Sequence, residues 1–306
     1  MRRSVSVSVV MLLCAAAPCR AQTPQPSGED HGVIRNAAGV QLSVATENTD
    51  PTLRIAVPGS PSADRSFPVL FPEHVTVVRR GSSDAEHLYL FRPGVQGERP
   101  QWRSVGQSLE YERDLPHDIH MLARATLEDD GVRFHYEFTN HSAVPYGMVY
   151  PVTDPRLVGI FHDERLERTY VHHADGLGLL ASETPSRLTM PLDQWLPARY
   201  LVSLTFPVPQ KLVERRDDGI TYYNKSRKVD LPFIATRSTD GRWVVASFSR
   251  EAGNVWSNPE LTCQHVDPQK TLAPGEKATL EMKMLVMRGS LDDALHRAIA
   301  QRQSLH

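Results

Sequence analysis

Residues 132–139 read Val-Arg-Phe-His-Tyr-Glu-Phe-Thr, a strict alternation of apolar and polar side chains. Because successive side chains of a strand point to opposite faces, this spacing predicts a strand with one face on a core and the other in water. Asp130-Gly131 directly before it is a hairpin turn signal. The apolar run from Met121 to Leu127 then predicts the preceding strand of the hairpin.

The same signals recur along the chain. Asp240-Gly241 predicts a second hairpin, and a long strand is predicted over 278–284 after the turn at 273–276. The 23 prolines and 18 glycines break the chain into short runs. This pattern favours an all-β fold, a large antiparallel β-sandwich, over alternating strands and helices. The remaining predicted strands are Phe233–Thr236, Trp243–Phe248, Gln41–Thr46, Leu53–Val57, His74–Arg79, Glu86–Phe91 and Arg199–Phe206.

One helix is predicted at the end of the chain, over 290–303. Ser290 is an N-cap candidate, and Asp293 stands three residues later, which is the spacing of a capping box. An apolar stripe at helical spacing follows, so the helix is expected to dock on the sandwich. The stripe consists of Leu291, Ala294, Leu295, Ala298 and Ile299.

The first residues predict export. Arg2 and Arg3 precede a short apolar run, and small residues follow up to Ala21, so residues 1–21 are interpreted as a secretory signal peptide. The apolar run is shorter than the ~20 residues that span a bilayer, and no later segment is apolar enough to do so. We therefore expect a cleaved leader, no membrane span and a periplasmic or extracellular protein. Residues 22–32 predict a disordered lead-in, and 33–306 a single β-sandwich domain.

Charge and cysteine content exclude several classes. Three basic residues leave with the leader, so 31 of the 34 remain against 36 acidic residues, and no clustered positive charge indicates a nucleic-acid partner. Of the three cysteines, Cys263 alone remains after cleavage, so no internal disulfide is expected. The chain also has no phosphate-binding loop, dinucleotide fingerprint, His-Glu-x-x-His or Gly-x-Ser-x-Gly motif. Nucleotide enzymes, zincin proteases and α/β-hydrolases are therefore disfavoured.

Residues 136–145 carry a resemblance. Tyr136-Glu137-Phe138-Thr139-Asn140-His141-Ser142, followed by Val144-Pro145, resembles a passage of the galactose mutarotase-like supersandwich proteins. Leu272-Ala273-Pro274-Gly275-Glu276 before a long strand is similar to their closing segment. The resemblance implies a supersandwich fold shared with aldose 1-epimerases and with domains of several polysaccharide lyases. Tyr150-Pro151 stands where the epimerases carry His-Pro, which counts against epimerase chemistry.

Two blocks carry candidate acid/base residues. His172 and His173 point to opposite faces of a strand, and His172 could act as a general base near neutral pH or be an ordinary surface histidine. In the second block, Cys263, His265 and Asp267 share one face if extended, so they could offer S, N and O ligands to a metal. The favoured interpretation is that Cys263 is a buried apolar residue, that no metal is bound and that His265 is a second acid/base candidate.

The substrate-binding candidates come from the aromatic and basic side chains. Trp256 is interpreted either as a platform for a pyranose, with Glu260 binding hydroxyl groups, or as a core residue. The proline-interrupted segment from Pro185 to Lys228 predicts loops over a scaffold, where function concentrates. Its cations suit the carboxylates of an acidic polysaccharide, although such loops are often just solvated. The candidates in this segment are Arg187, Arg199, Tyr222 and Lys225.

The sequence therefore predicts a secreted carbohydrate-active protein that acts on or binds a saccharide, with uronate-containing saccharides included. A lyase-like or epimerase-like enzyme without a cofactor is one form of this hypothesis. The alternative is a non-catalytic carbohydrate-binding or envelope-associated β-sandwich module. A purely structural secreted domain would show no concave pocket and no clustering of these residues.

Overall fold

The computed structural model describes residues 32–45, 50–59, 63–90, 99–182, 191, 198–204, 208 and 211–306. Short 3₁₀ helices lie at Ala63–Arg65, Pro116–Asp118, Gly159–Phe161 and Arg302–Ser304, and an α-helix, α1, at Leu291–Gln301. In chain order the strands are β1 Ile34–Arg35, β2 Gln41–Val44, β3 Thr52–Ala56, β4 Ser66–Leu70, β5 Val75–Arg79, β6 Ala85–Leu88, β7 Arg103–Val105, β8 Ser108–Leu115, β9 Ile119–Glu128, β10 Gly131–Asn140, β11 Tyr146–Pro151, β12 Asp154–Pro155, β13 Thr169–His173, β14 Gly176–Leu179, β15 Ala198–Ser203, β16 Val213–Arg215, β17 Thr221–Asn224, β18 Phe233–Arg237, β19 Trp243–Ser249, β20 Asn254–Ser257, β21 His265–Val266, β22 Lys270–Leu272 and β23 Lys277–Arg288.

These strands form four sheets, which we number I to IV. Sheet I has nine strands in the order β14-β13-β18-β19-β23-β10-β9-β8-β7, and sheet II has the order β1-β2-β3-β4-β12. Sheet III has the order β22-β11-β5-β6, and sheet IV the order β16-β17-β15-β20-β21. Nearly all neighbouring strands are antiparallel, with β15 and β17 parallel. The predicted all-β sandwich class is confirmed.

The predicted alternation appears in β10. Val132, Phe134, Tyr136 and Phe138 are fully buried, while the polar residues between them lie on the solvent face. The turn before β10 falls one residue earlier than predicted, at Asp129-Asp130, because Gly131 already belongs to the strand. A Cβ on Gly131 would lie 2.0 Å from the carbonyl oxygen of Met284 on β23, so the close approach of these strands requires glycine here.

Sheet I packs against other elements on both faces. One face packs against sheets II and III in the main core, where the Phe71 ring lies 5.2 Å from Phe134 and 6.3 Å from Tyr111. Towards β13 and β18 the same face packs against sheet IV, through residues such as Ile234 and Val202. On the opposite face α1 packs against β18, β19 and β23, and the polar residues of β10 face solvent.

The predicted terminal helix is confirmed. The Ser290 hydroxyl accepts a hydrogen bond from the Asp293 backbone N–H, and the Asp293 carboxylate accepts one from the Ser290 N–H. The buried side chains Ala294, Leu295 and Ala298 then pack on sheet I. Within the described ranges, no helix combines the length and apolar character needed to cross a membrane.

The segment from Pro185 to Lys228 contains more strand than predicted. Within it the structure forms β15, β16 and β17, which build most of sheet IV. Pro191 precedes β15, and the prolines at 185, 197, 207 and 209 lie outside the described residues. The parallel pairing of β15 with β17 has no local signal, because it depends on which distant segment lies alongside.

Candidate functional site

A cleft lies between sheets III and IV, with a volume of about 430 Å³. Ligand sites of proteins are typically about 300–1,000 Å³, so the cleft is large enough for a small ligand or one or two sugar rings. Most of its lining residues are half-buried, which leaves their polar ends accessible. They are His74, His87, Met148, Tyr150 and Val152 beside sheet III, Arg199, Leu201, Tyr222, Gly253, Asn254 and Trp256 beside sheet IV, and Asp267 and Gln269 after β21.

The register of sheet IV places its aromatic and basic side chains on the cleft. In β15 the residues Ala198, Tyr200 and Val202 point into the core, so Arg199 and Leu201 point the other way. Leu201 lies opposite Trp256 on β20. These pairings follow from the two-residue period of the strands.

The Trp256 side chain is fixed by contacts with His265 and Asp267. It lies opposite His265 on β21, and the two rings stack with centroids 3.7 Å apart and planes inclined at 22°. The indole Nε1–H donates to Asp267 Oδ2 over 3.4 Å. The indole is therefore fixed both by its ring face and by its polar edge.

The register of sheet III aligns a second row of side chains. Thr76 lies on β5, between β11 and β6. It pairs with Tyr150 on β11 and with His87 on β6. The Thr76 hydroxyl lies 2.8 Å from His87 Nδ1 and is also hydrogen-bonded to the Tyr150 phenol. Burial raises the pKa of the Tyr150 phenol more than this hydrogen bond lowers it, so the phenol is protonated at neutral pH. Tyr150, Thr76 and His87 are thus connected by hydrogen bonds along one row.

A group of ionisable side chains lies directly behind Trp256. We call Glu73, Asp154, Arg156, Cys263, His265 and Asp267 the buried polar cluster. Arg156 Nε donates to Asp154 Oδ2 over 2.7 Å, and its terminal nitrogen donates to Glu73 Oε1 over 3.3 Å. His265 Nε2 lies 3.2 Å from Asp154 Oδ1, and its Nδ1 lies 3.7 Å from Asp267 Oδ2.

Burial and charge shift the pKa values of this cluster in opposite directions. Burial lowers the pKa of the His265 imidazole, but the facing Cys263, Asp154 and Asp267 raise it well above its usual value. Burial raises the pKa of the Asp154 carboxyl, and His265 and Arg156 outweigh burial and lower it. Burial raises the pKa of the Cys263 thiol, which is therefore neutral at neutral pH. Such opposed shifts behind a cleft are typical of functional sites.

Three predicted binding residues, Arg199, Tyr222 and Trp256, meet on the cleft wall. The Tyr222 ring carries the Arg216 guanidinium 3.8 Å from its centroid, which holds the ring in place. His265 does not line the cleft as expected of an acid/base residue. It lies behind Trp256 with 1% of its side chain exposed, so it is placed to orient Trp256 and Asp267 instead of contacting a substrate.

The other predicted residues lie elsewhere. His172 is on β13 of sheet I, where its Nδ1 lies 2.6 Å from Asp230 Oδ1. Lys225 is buried, with its ammonium nitrogen 3.2 Å from the Leu179 carbonyl oxygen, so it serves the interior of the fold and does not reach the cleft. Glu260 is exposed and does not line the cleft either. Arg187 lies outside the described residues.

Sequence reasoning missed four residues that build the site, namely His74, His87, Tyr150 and Asp154. Tyr150 was noticed as the substitute for a histidine, and that departure was a usable signal. The other three carry no local motif: His87 is placed by its pairing with Thr76, Asp154 by its pairing with Leu70, and His74 lies just before β5. Asp154 also displaces Asp267 from the predicted ligand set, since the side chains of Asp154, Cys263 and His265 offer ligand atoms within 4.8 Å of one another.

Comparison with known proteins identifies the fold only. No protein-family model matches the chain, and no curated protein matches it by sequence. A galactose mutarotase related enzyme from Lactobacillus acidophilus is 12% identical with a TM-score of 0.47, over 85% of this chain and 98% of that one. A putative aldose 1-epimerase from Escherichia coli K12 is 13% identical with a TM-score of 0.43, over 84% and 98%. A polysaccharide lyase is 11% identical with a TM-score of 0.40, over 89% of this chain and 34% of that one.

The predicted resemblance to galactose mutarotase-like and aldose 1-epimerase-like structures is confirmed as a weak one. The identities of 12% and 13% and the low TM-scores limit it to the β-sandwich itself. What the cleft binds must therefore be argued from its own side chains.

Proposed function

We propose that this is an exported carbohydrate-active protein that binds a saccharide in the cleft between sheets III and IV. The convergence of Arg199, Tyr222 and Trp256 on one cleft is the observation that supports it. These residues come from three separate strands, β15, β17 and β20, and each has a side chain suited to binding a sugar. A purely structural domain gives no reason for them to meet.

Two aromatic side chains suit a sugar ring. A pyranose has apolar C–H faces, which pack against aromatic rings, and a polar rim of hydroxyl groups. Trp256 is fixed by its stack on His265, and Tyr222 is fixed under Arg216. A platform that is already ordered loses little conformational entropy when a ligand binds. Asn254 and Gln269 on the same cleft can then bind the hydroxyl groups.

Arg199 favours a saccharide with an acidic group. Among the described residues that line the cleft, it is the sole lysine or arginine. Its guanidinium is held by a 2.9 Å hydrogen bond to the Ala198 carbonyl oxygen. A planar guanidinium binds a carboxylate through two parallel hydrogen bonds. A uronate carboxylate is the ligand group that fits this arrangement.

The cleft also has acid and base groups for a β-elimination. In that reaction a base takes the C5 proton of a uronate, a C4–C5 double bond forms, and the C4–O bond breaks as the leaving oxygen gains a proton. Tyr150 is protonated at neutral pH and is the proton donor, and His74 and His87 are the candidate bases. Arg199 would stabilise the charge that develops on the carboxylate.

A panel of polysaccharides tests this proposal. Uronate-containing and neutral polysaccharides would be titrated calorimetrically, and absorbance of unsaturated product would be followed in parallel. Arg199→Gln and Trp256→Ala should each weaken binding at least tenfold, whereas His172→Gln outside the cleft should not change it. Absence of binding across the panel, or equal loss in all three variants, would contradict a saccharide site in this cleft.

A non-catalytic binding module is the second candidate. It is favoured by the position of His265, which was expected to contact substrate and lies behind Trp256. Tyr150→Phe separates the two candidates because it removes one hydroxyl and keeps the ring. An elimination enzyme should lose turnover by ~10²-fold or more and keep its affinity, whereas a binding module shows no turnover in either form.

Export through the predicted leader is part of the proposal. Its support is the order of basic, apolar and small residues over 1–21. Expression of the full chain in a bacterial host, followed by cell fractionation and N-terminal sequencing, should give a periplasmic or secreted protein that begins at Gln22. A cytoplasmic protein that keeps Arg2 and Arg3 would contradict it.

A further inference from the structure

Three different ligand types converge inside the buried polar cluster. Asp154 begins β12, His265 begins β21, and Cys263 lies two residues before His265. Their ligand atoms lie within 4.8 Å of one another, and all three residues are buried. A carboxylate, a thiol and an imidazole that meet in this way offer the oxygen, sulfur and nitrogen ligands found at zinc sites.

One oxygen of this group has no hydrogen bond. Asp154 Oδ1 is fully buried and accepts no hydrogen bond from any described residue. It forms an ion pair with His265 Nε2 at 3.2 Å, but the two atoms are poorly aligned for a hydrogen bond. A buried carboxylate oxygen without a donor is costly, so a further group is expected to satisfy it. Two ligand atoms of a tetrahedral zinc ion lie about 3.4 Å apart, close to the observed separation.

The surroundings resemble the outer shell of a metal site. Arg156 binds the other carboxylate oxygen, Asp154 Oδ2, at 2.7 Å and leaves Oδ1 directed at the cluster. Asp267 Oδ2 lies 3.7 Å from His265 Nδ1, which makes no hydrogen bond among the described residues, and Nε2 is the ring nitrogen that lies beside Asp154. A carboxylate on the far nitrogen of a histidine and a hydrogen bond on a ligating carboxylate are regular features of metal centres.

We propose that Asp154, Cys263 and His265 bind a zinc ion, with a water molecule as the fourth ligand. Zn²⁺ takes sulfur, nitrogen and oxygen ligands together, whereas Ca²⁺ and Mg²⁺ require mostly oxygen ligands. On binding, the ion would displace the protons of the Cys263 thiol and the His265 imidazolium into water, so that its protein ligands are a thiolate, the Asp154 carboxylate and a neutral imidazole. Its two positive charges would balance the two anionic ligands in the protein interior.

The proposal corrects the sequence interpretation in one respect. The sequence suggests Cys263, His265 and Asp267 as possible ligands and favours the interpretation without a metal. The structure exchanges Asp267 for Asp154 and gives Asp267 the outer position beside the His265 ring. Through Asp267 and the stacked imidazole the ion would fix Trp256, and with it one wall of the cleft.

Metal analysis of the purified chain is the first test. The protein is refolded with one equivalent of Zn²⁺, dialysed, and assayed by elemental analysis, since a buried site is expected to load during folding. We expect one zinc per chain. Fewer than about 0.2 equivalents under these conditions would overturn the proposal, because a site of three protein ligands retains zinc through dialysis.

Cobalt substitution identifies the ligands without relying on stability. Co²⁺ bound to a thiolate gives an intense near-ultraviolet charge-transfer band and visible bands of a tetrahedral ion. Cys263→Ser should abolish the near-ultraviolet band, and Asp154→Asn should weaken cobalt affinity at least 100-fold. A wild-type cobalt protein without the charge-transfer band would overturn the ligand set, whether or not the variants fold.

Two further variants complete the test. Asp267→Asn should weaken cobalt affinity 10- to 100-fold and keep the charge-transfer band, as expected of an outer residue. Asp230→Asn alters a His–Asp pair on sheet I and should change neither affinity nor spectrum. Equal losses in both variants would show nonspecific binding and would contradict the site. Saccharide binding is measured separately, so its failure would leave this result unchanged.

Discussion

Two histidine–aspartate pairs lie at opposite extremes of burial. His172 and Asp230 are 2.6 Å apart at the surface, with 16% and 43% of their side chains exposed. His265 and Asp154 are 3.2 Å apart in the interior, with 1% and 2% exposed. The sequence offers both histidines as acid/base candidates on equal terms.

The difference shows that the surroundings of a histidine–aspartate pair decide its energetic role, even when the residue types are the same. At the surface, water stabilises each partner, so the pair contributes little and needs no further support. In the interior each charge loses its water, and the pair persists because Arg156 and Asp267 surround it. A protein that keeps such a costly arrangement next to a cleft has a use for it, and we assign that use to ion binding and to fixing Trp256.

The largest expected effect comes from breaking the buried pair. Asp154→Asn removes the charge that faces His265 and Arg156 and keeps the size of the side chain. We expect a loss of about 3–5 kcal/mol in the free energy of unfolding, because two cations lose a buried counter-charge. Urea denaturation of the metal-free protein at pH 7 measures it. Asp230→Asn is the matched control, and a loss below 1 kcal/mol in Asp154→Asn would show that the cluster is not held by charge.

The contrast also shows what sequence can predict. The strand β10 could be predicted because one of its faces is fully buried. Packing in the core requires an apolar side chain at every second position, and residues 132–139 show this alternation. The helix α1 was predicted because Ser290 and Asp293 form a cap within one turn. Both signals are local, and both depend on neighbours within a few residues.

The site was only half predictable for the same reason. Trp256, Tyr222 and Arg199 were found by side-chain chemistry, which sequence displays directly. Tyr150 and His87 meet through Thr76 on the strand between them, and that register depends on three distant segments. Lys225 was misplaced because an exposed cation and a buried one look alike in sequence.

A buried lysine whose two carboxylate partners are partly exposed extends the comparison. Lys283 is buried under the end of α1, and its ammonium lies 2.6 Å from both Glu128 Oε2 and Asp130 Oδ1. Burial raises the pKa of each carboxyl, but hydrogen bonds to Lys283 and other donors outweigh burial and lower both pKa values. The two carboxylates therefore stabilise the fold above their unfolded pKa values of about 4, and this contribution is lost as pH falls through the lowered folded values.

Lys283→Met tests whether the contribution of these ion pairs to stability is lost as pH falls. We expect about 2–3 kcal/mol less stability at pH 7, since hydrogen bonds to a charged donor are lost. The difference between wild type and variant should shrink as pH falls below 4, because the protonated carboxyls no longer favour the ammonium. Urea denaturation between pH 2 and 7 measures both. A difference that stays constant with pH would mean that Lys283 acts through packing alone.

The N-cap of α1 shows how much one exposed pair of polar residues contributes to the free energy of unfolding. Ser290→Ala removes the hydroxyl that accepts from the Asp293 N–H at 3.1 Å, and the carboxylate keeps its bond to the Ser290 N–H. We expect a loss of about 1 kcal/mol by thermal or urea denaturation, typical of an N-cap. Ser290→Asp should restore most of it, since Asp is also a good cap. A loss above 3 kcal/mol would indicate that the docking of α1 on sheet I depends on the cap.

The smallest effect is expected at the exposed pair itself. His172→Gln keeps a polar side chain of similar reach and removes the imidazole that faces Asp230 at 2.6 Å. Because solvent screens Asp230, we expect a change of 0–1 kcal/mol in the free energy of unfolding, measured by urea denaturation at pH 6 and pH 8. Saccharide affinity should stay the same, since His172 does not line the cleft. A loss as large as that of Asp154→Asn would remove the distinction between the two pairs.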